Sequence, residues 1–567
     1  MNFKNLKTEI QSLTLPPSSL ILSLIVGVVL LYGVIYPNLY VIKSLVADGG
    51  RSASGLTEIL FRRAVLEAAG TSVWLSLVTV GLCALVGIPL AFLFERYAFP
   101  ARRLFATLSA LPLVLPPLVG TVAFIFLCGE SGILARTVAW AFNLKGAPWA
   151  LGGWTALLLF HTYTMYPFFY MLTGAGLRRI DAGLAEAARG LGAGPRVVLF
   201  RVLLPQLAPS LIAAALLTFM TSMASFSAPL LFGGEVRPLT LEIYSARQRG
   251  DMREALSETV LLTLISLSAL LFFQRYEGSR RFAAAALKGA PKRRTPLRRG
   301  RERALAVAFG TVFTILLALP VATLVLVSFA RDGQWTTETL PPAYTLSNYA
   351  RIFAEPDRLS VIVNSLSMSG LAAIAALLWS FCVTTLVTGK RLGAWRRVVS
   401  LLILVPWALP GTVVAVTIAE AYGRPNPLTG AFVLVGTFWI LPVIYFLRFM
   451  PLVVRAVQAS VEQMDAALEE AAASLGASWW RRFTRVRLPL VWPGAVAGAL
   501  LAFVIALGEY VASVLVFVPR NRPISIAIAG ELRDFNLGTA AAYGVLLILM
   551  IAASMMIAAR LERSAQT

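Results

Sequence analysis

Charge is scarce in this 567-residue chain. Asp, Glu, Lys and Arg make up 14% of it, against 58% hydrophobic residues, and the mean hydropathy is +0.76. A soluble domain carries about a quarter charged residues, so a soluble globular class is excluded. Cysteine is nearly absent as well: Cys83, Cys128 and Cys382 lie in or at the ends of apolar runs without metal-ligand spacing. They read as small core residues, and a disulfide framework is excluded. There is one histidine, His161, and one histidine makes no metal site. A phosphate-binding loop of the form G-x4-G-K-[ST] is missing too. Gly389-Lys390 lacks both the leading Gly and the following Ser or Thr, so the chain supplies no nucleotide site and no catalytic constellation. Cofactors are expected to be absent from the chain itself.

Long apolar runs are what the sequence has instead. They are continuous rather than alternating, so they read as helices and not as barrel strands, each long enough to cross a bilayer. Twelve are predicted, at about 19–42, 71–95, 105–128, 151–172, 207–231, 257–274, 304–330, 361–388, 399–421, 430–448, 491–518 and 540–559. The first is too long for a cleaved leader and is expected to stay as a span. The formal charge is +22. Lys and Arg collect in alternate loops, which predicts both termini in the cytoplasm and contact with anionic lipid rather than nucleic acid. The most polar segment, 275–303, holds eleven Lys or Arg and two Glu. It reads as a cytoplasmic linker between two six-span halves, 1–274 and 304–567.

The halves repeat each other. An offset of 284 residues relates Asp181 to Asp465, Glu186 to Glu470, Gly192 to Gly476 and Pro205 to Pro489, and continues to Phe219 and Phe503. An offset of 294 relates Pro112 to Pro406 and Pro116 to Pro410. With six spans each, the copies face the same way as parallel repeats about an axis along the membrane normal. The four prolines predict kinked or broken helices.

Within each repeat lies a charged loop. Asp181 or Asp465 is placed to cap a short helix carrying Glu-Ala-Ala, and Gly192 or Gly476 to end it with a left-handed backbone. A basic segment then returns to the membrane, with Pro205 or Pro489 marking entry to the next span. The expected shape is a helix–turn–helix lying along the cytoplasmic face.

This pattern, Glu186-Ala187-Ala188, Gly192, Val202, Leu204-Pro205, and again Glu470-Ala471-Ala472, Gly476, Val486, Leu488-Pro489, resembles the EAA loop of permease subunits in binding-protein-dependent ABC importers. The resemblance implies an all-α polytopic membrane protein of two parallel six-helix repeats, a fused type I (MetI-like) permease in the bacterial inner membrane. It also implies that both loops couple to ATPase subunits, two copies of which bind ATP and Mg, and that a periplasmic solute-binding protein delivers the cargo. Among fused permeases the chain looks most like the ferric-iron group, with thiamine and phosphonate permeases next and polyamine uptake open. The alternative from another class is an ion-coupled secondary transporter.

Glu509 is the clearest ionisable residue inside a predicted span. It is read either as lining a path for a cation or amine, or as an interhelical hydrogen-bonding group. Its counterpart at the 284 offset is Ser225, and Tyr510 answers Phe226. These four residues are the candidate translocation path.

Overall fold

The structure is a computed structural model that describes residues 17–48, 62–284, 294–297, 299–335, 338–388 and 395–564. Among these residues it is helical apart from loops and one pair of two-residue strands. Ten helices are long and apolar enough to cross a membrane. The pair Arg396–Ala408 and Gly411–Ala421, bent by 106°, makes an eleventh if it counts as one span. The remaining predicted span is the 27-residue helix Gly153–Arg179. It has the length to cross, but His161, two threonines and three tyrosines in its middle, with two arginines at its end, dilute its apolar character.

Several boundaries differ from the sequence expectation. Residues 105–128 are not one helix. A short helix Arg102–Leu108 gives way to a 3-10 turn, Leu111–Val114, and a new helix starts at Pro117. Leu115 is extended (φ −78°, ψ 124°), as a residue before proline must be, and Pro116 caps the new helix. In the second repeat Pro410 caps Gly411–Ala421 in the same way, whereas Pro406 stays inside the preceding helix. Residues 430–439 are loop, with Gly430 and Gly436 at positive φ, and the helix there runs from Ile440 to Gln463.

The return segments are also corrected. The basic stretch after each hairpin is no separate surface helix, because it continues unbroken into the span, over Pro195–Met223 and Trp479–Leu507. Pro205 and Pro489 are absorbed by π-helical turns, Val198–Leu203 and Phe483–Arg487. Proline lacks an N–H and crowds the carbonyl four residues back, and one extra residue in the turn relieves both. Leu204 and Leu488 accordingly bond to carbonyls five residues back. The first helix repeats the device, with Leu31–Ile35 preceding Pro37.

The contacts define two compact units, each discontinuous in sequence. One holds residues 48–359 and 524–548; the other holds 1–47, 360–523 and 549–567. In the first, the helix Gly300–Ser328 packs on Pro117–Cys128, and Tyr163 donates to the Leu317 carbonyl at 2.9 Å. In the second, the first described helix is held by Tyr36, which donates to Asn426 Oδ1 at 2.9 Å, and by Tyr422, which donates to the Tyr32 carbonyl at 2.6 Å. The leading helix of each repeat is thus packed among helices of the other repeat.

The helix pairs that flank the hairpins cross closely, and small residues permit it. A Cβ on Gly176 would lie 2.7 Å from Ser210 Oγ and 2.8 Å from Leu207 Cδ2. At the equivalent crossing the roles are exchanged: Ser460 stands where Gly176 would be, and Gly494 faces it. Each crossing holds one Gly and one Ser. Gly176→Ser is therefore expected to cost about 1–3 kcal/mol through overpacking. Gly176→Ser/Ser210→Gly, which copies the second crossing, should recover most of that loss in thermal unfolding in detergent.

Candidate functional site: paired hairpins and broken helices

The helix Gly153–Arg179 ends where Ile180 turns extended, and Asp181 follows as N-cap of Ala182–Gly190, its Oδ1 accepting from Gly183 N at 2.9 Å. At the far end Ala193 N bonds to the Ala188 carbonyl at 3.0 Å across Gly192, whose φ is +84°. This six-to-one closure needs a left-handed residue, and glycine adopts that conformation without a Cβ penalty. The second hairpin repeats each feature. Asp465 Oδ1 accepts from Ala467 N at 2.9 Å, Ala466–Ser474 is the helix, and Ala477 N bonds to the Ala472 carbonyl at 3.0 Å across Gly476 at φ +78°.

The first hairpin leans on its own return helix: Ala185 is buried against Val198 and Leu203, with Ala188 and Ala193 beside them. In the second, Glu469 pairs with Arg487 of its return helix at 3.6 Å. Glu186, Ala187, Glu470 and Ala471 face outward, while Ala188 and Ala472 are half-buried. Pro205 and Pro489 lie on exposed faces of the return helices. Sequence reasoning passed over the most exposed apolar side chains here, Leu191 at 90% and Leu475 at 88%. They are related by the same 284-residue offset, and a leucine directly before each capping glycine is the signal that could have found them.

The root of the first hairpin is tied down by Glu95. Its carboxylate pairs with Arg178, three residues before Asp181, and with Arg294 at 2.9 Å. Arg294 leads into a two-residue parallel strand, Thr295–Pro296, paired with Tyr97–Ala98. Of the basic linker expected over 275–303, residues 285–293 and 298 lie outside the described residues, and the helix Met252–Ala284 covers its first third.

Deeper in the membrane, the helix that leaves each hairpin breaks at the same repeat position. Pro195–Met223 stops, Ala224, Ser225 and Phe226 intervene, and Ser227–Phe232 begins. Likewise Trp479–Leu507 stops, Gly508, Glu509 and Tyr510 intervene, and Val511–Val516 begins. All four candidate path residues fall in these two breaks. Phe226, Glu509 and Tyr510 are buried and Ser225 is half-buried.

A break frees backbone groups that a bilayer cannot hydrate, so side chains must bind them. In the first repeat Thr240 Oγ1 donates to the Ser225 carbonyl at 2.7 Å, and His161 Nε2 lies 2.9 Å from Ser225 Oγ. The other His161 nitrogen faces Ser222 at 3.2 Å and Thr79 at 3.4 Å. His161 is fully buried in this hydrogen-bonded cluster. In the second repeat Glu509 Oε1 accepts from Ala512 N at 2.9 Å, and Ser513 Oγ donates to the Glu509 carbonyl at 2.8 Å. Tyr445, the repeat equivalent of His161, shares a 2.7 Å hydrogen bond with Ser513. The remaining oxygen of Glu509 pairs with Arg448, which stands where the first repeat has Thr164. Arg448 was missed because the sequence put it at a span end; the helix Ile440–Gln463 carries it well inside. Glu509 therefore has an interhelical partner and caps a short helix. Among the described residues no group of three or more His, Cys, Asp or Glu could hold a metal.

Removing one member of a buried ion pair leaves an unpaired charge, which costs about 3–5 kcal/mol. Arg448→Met alone should lower stability by that order, and Arg448→Met/Glu509→Gln by much less. A double-mutant cycle on thermal unfolding checks this, and strictly additive losses would refute the pairing.

Two segments, residues 84–277 and 382–567, match the family described as "Binding-protein-dependent transport system inner membrane component". A probable ABC transporter permease protein, y4fN, of Sinorhizobium fredii is 31% identical over 83% of this chain and 83% of its own length. A ferric transport system permease protein, FbpB, of Actinobacillus pleuropneumoniae is 25% identical over 94% of this chain and 77% of its own. A putative 2-aminoethylphosphonate transport system permease protein, PhnV, of Salmonella paratyphi A is 27% identical over 47% of this chain but 96% of its own. One relative is thus matched almost whole by half of this chain, as a fusion of two permease repeats requires. With the family matched twice, the hairpin built twice and ten to eleven spanning helices around them, the chain belongs to the inner-membrane permeases of binding-protein-dependent ABC importers.

Proposed function

We propose that the two hairpins receive two copies of an ABC ATPase subunit, and that the cargo of this permease is ferric iron handed over by a periplasmic binding protein. The carrying observation is the duplicated hairpin itself. Each is a capped helix, each presents an exposed leucine at its tip, and each is joined by short turns to a long helix before it and a spanning helix after it. An exposed leucine beside small alanines suits insertion into an apolar groove of a partner, where burying the side chain is worth about 1.5–3 kcal/mol. ATP and Mg belong to that partner. When the ATPase subunits close, force on the first hairpin passes to Gly153–Arg179 and Pro195–Met223, and force on the second to Ile440–Gln463 and Trp479–Leu507. These four helices move as levers, and the breaks at Ser225-Phe226 and Glu509-Tyr510 let the segments beyond them respond separately.

The orientation that serves this has both termini and the basic linker in the cytoplasm, following the Lys and Arg bias. Ferric iron is favoured because the relatives named as ferric permeases align along most of the chain. Thiamine, phosphonate and polyamine cargoes are the alternatives, and the binding protein decides between them. An ion-coupled secondary transporter would have no use for two copies of the hairpin.

Leu191→Asp and Leu475→Asp should each weaken capture of the cognate ATPase by about tenfold or more, as for the lost burial of a leucine worth roughly 2 kcal/mol. The double variant should abolish ATP-driven uptake while the chain still inserts. Wild-type capture by the double variant would refute the coupling role. In proteoliposomes holding the chain, its ATPase and the binding protein, ⁵⁵Fe(III) uptake should require ATP and resist excess thiamine or phosphonate. Competition by either would reassign the cargo, and uptake without the ATPase would restore the secondary-transporter reading.

A further inference from the structure

The two return helices share a backbone and differ in chemistry. The first opens Pro195-Arg196-Val197-Val198 and carries two arginines before its π turn ends, Arg196 and Arg201. The second opens Trp479-Trp480-Arg481-Arg482 and carries four, with Arg485 and Arg487. Its aromatic rings form one stack: Trp479 lies 5.5 Å from Phe483 with planes 9° apart, and Trp480 lies 5.9 Å from Phe483 at 25°. Phe483 is braced edge-on by Phe381, 6.1 Å away, on the helix Pro356–Thr388. Trp480 is nonetheless 64% exposed and Trp479 45%.

Arg481 and Arg485 sit four residues apart and are exposed, and among the described residues neither is in an ion pair. Arg487, by contrast, is held by Glu469. The helix bearing these groups runs without interruption into the apolar span that ends at Leu507. Its first turns therefore lie at the depth where a bilayer presents headgroups. Tryptophan favours that depth, its ring in the acyl boundary and its N–H in the polar layer. Guanidinium forks match phosphate oxygens in pairs.

We propose that Trp479, Trp480, Arg481 and Arg485 form a binding site for the phosphate headgroup of an anionic phospholipid, present on the second hairpin and absent from the first. The braced rings seat the glycerol and upper acyl region, and the two arginines hold the phosphate. Placing that lipid in the inner leaflet rests on the orientation proposed above; the binding does not. The site anchors the second lever to the membrane where the first lever is tied through Glu95 instead.

Native mass spectrometry of the full chain in detergent, titrated with phosphatidylglycerol or phosphatidylcholine, tests this without any ATPase present. Each arginine near an anionic surface contributes about fivefold in affinity, so Arg481→Gln/Arg485→Gln should lose phosphatidylglycerol retention by roughly 25-fold. Arg481→Lys/Arg485→Lys, which keeps the charge and loses the paired donors, should fall between wild type and the Gln pair. Arg196→Gln/Arg201→Gln, the two arginines that open the first return helix, where Val197 stands in place of Arg481 and no tryptophan stack lies beside them, should cost clearly less than the Arg481/Arg485 pair. Phosphatidylcholine retention should not change in any variant. Unchanged phosphatidylglycerol retention in the Gln pair would overturn the proposal, as would an equal fall for phosphatidylcholine or displacement of the lipid by inorganic phosphate. Loss of ATPase capture by the Gln pair in lipid-free detergent would overturn it differently, by giving the surface to a protein partner.

Discussion

A bilayer offers no hydrogen bonds, so every interruption of a helix within it must be supplied with partners by the protein itself. That constraint organises this chain. Its helices are interrupted where proline or a break residue forbids continuity, and particular side chains or an altered turn take up the freed groups. A π turn precedes each of Pro37, Pro205 and Pro489, and its extra residue accommodates the missing N–H. At Ser225 and Glu509 the freed carbonyls are met instead by Thr240 and Ser513.

The repeats obey the constraint with one backbone and two chemistries. His161 and Tyr445 occupy one repeat position, and both serve the break beside them, one through Ser225 and one through Ser513. Thr164 and Arg448 occupy another, and only the second needs an acidic partner, which Glu509 provides. Gly176 against Ser210 becomes Ser460 against Gly494. The last exchange keeps the volume of its crossing while changing which helix carries each part, whereas the first two change the chemistry on an equivalent helix. The helices flanking the two hairpins stay alike while the breaks and return helices diverge.

The hairpins were legible in the sequence because everything that shapes them is local. An Asp cap, a run of Ala and Glu, and a Gly that accepts positive φ specify a short helix and its end within a dozen residues. The same holds for the apolar runs that became spans. The four candidate path residues stood in the sequence only as a list, because positions at one offset do not show that they lie in helix breaks. Pro205 and Pro489 misled for a related reason: proline signals the end of a helix, and whether a π turn absorbs it depends on the register of the helix that carries it.

By itself the sequence determined the membrane class, the twofold repeat and the capped hairpins, since each follows from composition, periodicity or contacts a few residues long. Tertiary structure alone decided that Glu509 meets Arg448 sixty-one residues away, that Glu95 gathers Arg178 and Arg294, and that the leading helix of each repeat packs among helices of the other. Those outcomes depend on which apolar faces come together, and nothing in the spacing of residues along one helix names its neighbour.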